Sequence, residues 1–292
     1  MNKVKAVIKY LLLTLVLVVI AIFPLQVFLL ITSVISLFAV RYIMLYQPLA
    51  LALGLMCEGV VLFILRQEFK GNKMRLQQVM PFEKKGALIR YGTGYVLGTA
   101  FFALLWGLAV LGKAFQVYVI WRNSAWLFFV LFLFGFGIQG MVEEVIFRGY
   151  LQGKLTKELS QSGAILISAL AFAVAHLGNS GLSFLGFLNL TLFGILMSLF
   201  RIYTGDLWLA GAFHSAWNFA EGPLFGTLIS GTYGTNIVLY SQKVTAHSLL
   251  NGGNFGIEAS LLTSLGLILL IAFTYYLGQN YAKKSDRIKK II

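Results

Sequence analysis

Long apolar stretches separated by short polar segments dominate the 292-residue chain. About 20 consecutive apolar residues are enough for an α-helix to cross the hydrocarbon core of a bilayer. Eight stretches come near that length, and the alternation of apolar and polar positions typical of a transmembrane β-barrel is absent from the sequence. The pattern therefore predicts an all-α, polytopic membrane protein with about eight transmembrane helices.

The whole chain, residues 1–292, is predicted to form one integral-membrane domain that contains all of the spans. They cover 10–40, 45–65, 91–111, a segment starting near Ser124, a segment following Gly163, 184–200, 207–221 and 259–277. The first run is longer than one span needs, so we expect either a single tilted helix kinked near Pro24 or a span plus an interfacial segment. It is expected to be a retained anchor, since a signal peptide has a shorter apolar core. Residues 222–257 form the one long connection, predicted to be an extracytoplasmic loop.

Charge is scarce and unevenly distributed. The chain is 59% hydrophobic and 11% charged, with a formal net charge of +13. If the N-terminus lies inside and the chain crosses eight times, only four of the 23 lysines and arginines fall outside: Arg41, Lys113, Arg122 and Lys243. The positive-inside rule then predicts that both termini are cytoplasmic. Because the basic residues lie between spans rather than on one face, we expect a lipid bilayer and no nucleic acid as partner.

Three charged residues occur beside an apolar run, where each ionisable group costs several kcal/mol. They are Glu143, Glu144 and Arg148. In a helix, Glu144 and Arg148 share a face in the favourable order for an ion pair. Glu143 is turned about 100° from Glu144, so the same geometry does not satisfy it. We therefore predict that one carboxylate is structural and the other is free for chemistry. The alternative is that all three face the cytoplasm at the end of the helix.

Two of the three histidines fall within predicted spans. His176 ends the fifth apolar segment, while His214 and Asn218 are four residues apart and share a face of the seventh span. Together with Glu143 they predict one site built from three helices. Glu58 in the second span is a further candidate, either for function or for a hydrogen bond to a neighbouring helix. His247 is expected to be an ordinary loop histidine.

The chemistry of these groups is narrow. A carboxylate beside an imidazole in a poorly hydrated pocket can activate water, and a second imidazole and an amide can donate hydrogen bonds to an oxyanion. These groups suit hydrolysis of a peptide bond. Alternatively, two imidazoles, a carboxylate and an amide oxygen could hold a divalent metal such as zinc. The His-Glu-x-x-His signature of zinc proteases is absent from the sequence, and both mechanisms stay open.

Cys57 is the single cysteine, which excludes intrachain disulfides and cysteine metal clusters.

Three motifs on separate spans carry a family resemblance. In chain order they are Glu143-Glu144-x-x-x-Arg148, Phe172-x-x-x-His176 and His214-x-x-x-Asn218. They resemble the CPBP family of CAAX-processing and bacteriocin-processing intramembrane proteases, also called the Abi family and related to the type II CAAX prenyl endopeptidase. The resemblance covers about 126–221, and the stretch 252–258 looks like a feature of a bacterial subgroup.

The resemblance implies an eight-helix membrane fold with its active site within the bilayer. By motif position, Glu143 would be the water-activating base and His176 its partner. His214 and Asn218 would stabilise the oxyanion, and Glu144, Arg148 and Phe172 would support the site. If a metal is present, the same resemblance implies that Glu143, His176, His214 and Asn218 would hold it.

The expected function is that of an intramembrane endopeptidase acting on a membrane-anchored or hydrophobic peptide. Two alternatives belong to other classes. One is a non-proteolytic role in bacteriocin self-immunity or in modulating a sensor kinase, and the other is a proton- or solute-coupled transporter. The simple span plan and basic charge favour a bacterial plasma membrane, where a peptide pheromone, a bacteriocin leader or another membrane protein is a more plausible substrate than a prenylated protein.

Overall fold

The computed structural model describes residues 3–38, 43–122, 125–232 and 235–289, and in these ranges the chain is nearly all α-helical, as predicted. The α-helices are α1 (Lys3–Phe38), α2 (Ile43–Cys57), α3 (Val60–Phe69), α4 (Lys73–Val79), α5 (Ala87–Leu111), α6 (Trp126–Glu144), α7 (Gly153–Leu155), α8 (Gln161–Ala175), α9 (Phe184–Thr204), α10 (Trp208–Phe219), α11 (Ser248–Asn251) and α12 (Leu261–Lys289). Two π-helical segments, π1 (Val145–Gln152) and π2 (Ala220–Leu224), continue α6 and α10, and the strands are β1 (Phe115–Val119) and β2 (Leu239–Lys243).

Six of the described segments are long and apolar enough to cross a membrane. They are Lys3–Val34, Gln47–Phe69, Ala87–Leu111, Trp126–Leu155, Phe184–Thr204 and Leu261–Asn280. The predicted fifth and seventh spans are also helices, α8 and α10, but they have only 15 and 12 residues. Eight helical segments thus match the eight predicted spans, while the count of eight crossings and the inside orientation stay predictions. Ser124, the expected start of the fourth span, lies outside the described residues.

The first two spans differ in continuity. The first is a single helix of 36 residues that passes through Pro24, so the alternative of a span plus an interfacial segment is wrong, while the tilt and the kink stay predictions. The second is interrupted, because α2 ends at Cys57 and α3 begins at Val60. At the break the Val61 amide donates to the Glu58 carbonyl at 3.0 Å, an i to i−3 bond tighter than that of an α-helix. Hydropathy alone did not indicate this break.

Glycines on α5 and α6 hold α10 in place. A Cβ atom on Gly98 would collide with the Phe213 carbonyl and lie 3.1 Å from the Ala216 Cβ. On the opposite side, a Cβ on Gly140 would lie 2.6 Å from the Ser215 amide nitrogen. Helix backbones approach this closely only where small residues face each other. Small residues on both sides therefore hold α10 between α5 and α6.

We expect Gly98→Val to lower the stability of the fold by about 1–3 kcal/mol, since a branched side chain would push α10 away from α5. The measurement is the midpoint of thermal unfolding in detergent. Gly107→Val is the matched control, because a Cβ at Gly107 on the same helix meets no atom within 4 Å among the described residues. Equal midpoints for the two variants would contradict this close packing of α10.

The turn before α10 is tied to α5. Arg201 and Asp206 flank this turn in the sequence, which suggests a local ion pair, but the structure shows a different one. Asp206 lies 2.7 Å from Arg90 Nε, and its Oδ1 accepts a hydrogen bond from the Trp208 amide at 3.1 Å. Burial raises the pKa of Asp206, and the Trp208 amide and the Arg90 guanidinium partly offset the rise. Asp206 therefore fixes where α10 begins.

In its described residues the connection at 222–257 is folded, while its extracytoplasmic location stays a prediction. Its strand β2 pairs antiparallel with β1, which precedes α6, and this small sheet was not predicted. At its far end, the Asn189 side-chain amide on α9 donates to the carbonyls of Glu258 at 2.7 Å and Ser260 at 2.9 Å. The connection is thereby held against the helices that carry the predicted site.

Candidate active site

The Glu143–Arg148 cluster lies near the middle of a continuous 30-residue helical segment, Trp126–Leu155. Arg148 Nη1 donates to Glu144 Oε1 at 2.9 Å, and both side chains are fully buried. The predicted ion pair is confirmed. The Glu143 side chain is 18% exposed. The alternative, in which all three residues face the cytoplasm at a helix end, is wrong.

His214 joins this cluster from α10. Its Nδ1 lies 2.9 Å from Glu144 Oε1. A carboxylate paired with an arginine accepts hydrogen bonds, so Nδ1 of His214 carries the proton and Nε2 is turned the other way. That Nε2 atom lies 3.7 Å from Glu143 Oε2. Glu144 therefore orients His214 towards Glu143.

His176 is oriented by its own helix. Its Nδ1 lies 2.8 Å from the Phe172 carbonyl, which can only accept, so Nδ1 donates here as well. The Phe172 ring lies 4.7 Å from the His176 ring and 5.8 Å from the His214 ring, centroid to centroid. The Arg148 guanidinium lies 4.5 Å from the centre of the same ring, within cation–π range. Phe172 thus contacts the ion pair's arginine and both imidazoles.

Gln139 is a site residue that sequence reasoning missed. Its Nε2 donates to Glu143 Oε1 at 2.5 Å, and its Oε1 accepts from Asn218 Nδ2 at 2.8 Å. The signal was present in the sequence, because Gln139 lies four residues before Glu143 on one helix face within an apolar run. Glu143 Oε2 has no hydrogen-bond partner in the described part of the chain. One Glu143 oxygen is therefore held, and the other is available for chemistry.

A cavity of about 290 Å³ brings the predicted residues together. Glu143, His176, His214 and Asn218 all line it, while Glu144 and Arg148 lie behind its wall. Its other walls come from α1, α2, α9 and the folded connection. Within the described ranges, Glu143 makes no hydrogen bond or ion pair with His176, and its imidazole neighbour is His214.

Two more carboxylates, Glu58 and Glu258, line the same cavity. Glu258 Oε2 accepts hydrogen bonds from the Ser230 amide at 2.8 Å and the Ser230 hydroxyl at 2.7 Å. Burial raises the pKa of Glu258, and the Ser230 hydrogen bonds and the charges of the two cavity histidines partly offset this. In the sequence, Glu258 stands out only as the last residue of the glycine-rich stretch 252–258. Its place in the site could not be predicted, because its contact with Ser230 depends on how the connection folds.

The metal hypothesis requires several ligands to converge. Catalytic zinc sites use three protein ligands, each within about 2.0–2.3 Å of the ion. No group of three histidine, cysteine, aspartate or glutamate side chains in the described ranges is gathered closely enough to hold a metal. Glu143 and His214 face each other, but His176 does not join them. The residues as arranged do not fit a zinc site.

These features define a polytopic helical membrane protein with a buried carboxylate–histidine site. Residues 123–220 match the family model described as type II CAAX prenyl endopeptidase Rce1-like. The matched segment contains all three motifs, so the resemblance based on them is confirmed, and it supports a CAAX-type intramembrane protease in coarse terms. The comparisons with curated proteins and with solved structures gave no match.

Proposed function

We propose that this protein is an intramembrane endopeptidase in which Glu143 activates a water molecule to hydrolyse a peptide bond of a membrane-associated protein or peptide. The observation that carries the proposal is the 3.7 Å separation between Glu143 Oε2 and His214 Nε2 at the cavity wall. A hydrogen bond between nitrogen and oxygen spans about 2.9 Å, so these atoms do not bond directly. A water molecule that bonds to both atoms fits this separation.

The proposed reaction begins with transfer of a proton from water to Glu143 Oε2. The water oxygen attacks the carbonyl carbon, and the carbonyl electron pair moves onto oxygen. Asn218 donates one amide hydrogen to Gln139, and its second hydrogen is the proposed donor to this oxyanion. His214, with its proton on Nδ1, accepts a hydrogen bond from the water molecule through Nε2 and so orients it for attack. When the C–N bond breaks, Glu143 returns its proton to the leaving amine, and the carboxyl product remains.

The remaining site residues have supporting roles in this proposal. Arg148 neutralises Glu144, which keeps that carboxylate an acceptor for His214. Phe172 packs against Arg148 and both imidazoles and excludes water between them. His176, with its proton on Nδ1, offers Nε2 as a second proton acceptor of the cavity, which is our proposal for the role of partner that the motif implies.

The proposed substrate is a membrane-anchored or hydrophobic peptide that reaches the site from the lipid bilayer. The cavity walls contributed by α1, α2 and α9 are largely apolar side chains, which suit such a segment. A peptide pheromone, a bacteriocin leader or another membrane protein of a bacterial plasma membrane remains the proposed source. The family match does not favour a non-proteolytic immunity or regulatory role.

The test uses purified protein in liposomes mixed with a pool of membrane peptides, with new peptide termini read by mass spectrometry. Termini that appear with the unaltered protein and not with Glu143→Gln support the proposal. Identical termini in both samples would overturn it. Solute uptake by the same liposomes, without new termini, would identify a transporter instead.

We expect Gln139→Leu to lower the turnover number about 10- to 100-fold, because a hydrogen bond to a charged group contributes about 1.5–3 kcal/mol. Loss of this bond frees the Glu143 carboxylate to rotate, while the Glu144–Arg148 pair is untouched. The measurement is turnover on a peptide found in the liposome assay. Gln67→Leu on the exposed face of α3 is the control. A Gln139→Leu protein with unaltered turnover would show that Gln139 does not position Glu143.

A further inference from the structure

The cavity carries an imbalance of charge. Three carboxylates, Glu58, Glu143 and Glu258, line it beside the two histidines of the site, while no lysine or arginine is found among its described lining residues. The nearby guanidinium of Arg148 does not compensate, because it is paired with Glu144 behind the Phe172 ring. A carboxylate in a poorly hydrated interior is costly without a positive partner. The imbalance therefore indicates a site for a positively charged group.

Of the three cavity carboxylates, Glu58 is the one that accepts no hydrogen bond from the described residues. Glu143 accepts from Gln139, and Glu258 accepts from Ser230. The Glu58 side chain has no hydrogen bond or ion pair within the described ranges, although the residue is only 4% exposed. Its electrostatic neighbour is Glu143, a group of the same charge. Glu58 also lies at the midpoint of the span Gln47–Phe69, far from either end.

The backbone holds Glu58 firmly at this position. A Cβ on Gly54 would lie 2.8 Å from the Leu25 Cα, so α2 is pressed against α1 one turn before Glu58. A Cβ on Gly135 of α6 would lie 3.3 Å from the Ala52 carbonyl on the other side. The interruption between α2 and α3 falls at Glu58 itself, and such breaks in helices frequently mark functional positions. The Glu58 carboxylate is thus held at a fixed position in the wall of the cavity.

We propose that Glu58 binds a positively charged group of the substrate, an ammonium or a guanidinium, and so selects peptides that carry a cation near the scissile bond. This inference rests on the proposed function. The two carboxylates would then have separate roles, because Glu143 acts on water and Glu58 pairs with the substrate. An ion pair formed away from bulk water is strong enough to discriminate between a charged and a neutral side chain.

The cation has two possible sources, a lysine or arginine side chain or the free amino terminus of the substrate. Four leucine–alanine heptapeptides separate them. Three are acetylated and amidated and carry lysine, arginine or norleucine at the central position, and the fourth carries norleucine and a free amino terminus. Binding is measured by fluorescence anisotropy in detergent to a Glu143→Gln protein, so that no peptide is cut.

We expect the lysine and arginine peptides, or the peptide with the free amino terminus, to bind at least about tenfold more tightly than the acetylated norleucine peptide. Glu58→Gln removes this preference, and Glu58→Asp retains part of it. Glu68→Gln, the same change at an exposed position of the same span, leaves the preference intact.

Equal binding of all four peptides to the protein with Glu58 would overturn the inference, whether or not the Glu58→Gln variant folds. A preference that survives in a folded Glu58→Gln variant would overturn it too. The readout does not need hydrolysis, so a failure of the proposed function would be seen separately, as unchanged peptide termini in the liposome assay.

Discussion

Glu143→Gln is expected to lower the rate of peptide cleavage by about 10²- to 10⁴-fold, the range attributed to a positioned general base. A glutamine side chain has the same shape, but its amide cannot take a proton from water at neutral pH. The Gln139 contact can persist, because the glutamine keeps one carbonyl oxygen. The Glu144–Arg148 pair is unaltered, so the thermal unfolding midpoint should change little. Initial cleavage rates and unfolding midpoints, measured on the same preparation, check both expectations.

Glu68→Gln is the matched control, since Glu68 is exposed on α3 and away from the cavity. It should leave the cleavage rate unaltered. A Glu143→Gln protein with normal activity would contradict the proposed mechanism. The base would then have to be sought among the other cavity carboxylates, Glu58 and Glu258.

Much of the helical architecture follows from local features of the sequence, because apolar length and helix periodicity are local properties. The Glu144–Arg148 pair was predictable for this reason, since both residues lie on one helix face. The lengths of α8 and α10 could not be predicted from such local features. The hydroxyl of Ser160 accepts a hydrogen bond from the Gly163 amide and caps α8, while α10 passes into a π-helix at Ala220. The cap at Ser160 starts α8 before Gly163, and the π-helix continues the other segment beyond 221, where the predicted seventh span ends.

The contacts between distant segments could not be predicted. The pairing of His214 with Glu144 joins residues 70 positions apart and depends on the close packing of α10 against Gly98 and Gly140. The sequence resemblance pairs Glu143 with His176, whereas the structure brings His214 closer to Glu143. Glu258 reaches the cavity only because its connection folds back onto α9. Spacing along the chain identifies which residues share a helix face, but it does not identify which other helix that face contacts.

Arg148→Met is expected to lower the free energy of unfolding by about 3–5 kcal/mol, the usual effect of removing one partner from a buried ion pair. Glu144 would be left as a fully buried carboxylate whose remaining hydrogen bond is to His214. The cation–π contact of Arg148 with Phe172 would be lost as well. Thermal or denaturant unfolding in detergent measures the change. Arg66→Met at an exposed position of α3 is the control, and it should unfold like the unaltered protein.

The double variant Glu144→Gln with Arg148→Met separates the stabilising role of the pair from its proposed catalytic role. It leaves no uncompensated buried charge, so it should recover most of the stability that Arg148→Met loses. Cleavage should still fall by at least about tenfold, because a neutral amide holds the Nδ1–H of His214 less strongly than a carboxylate does. Recovery of both stability and cleavage would mean that His214 needs no carboxylate to orient it. Recovery of neither would mean that Arg148 stabilises the helices through Phe172 rather than through Glu144.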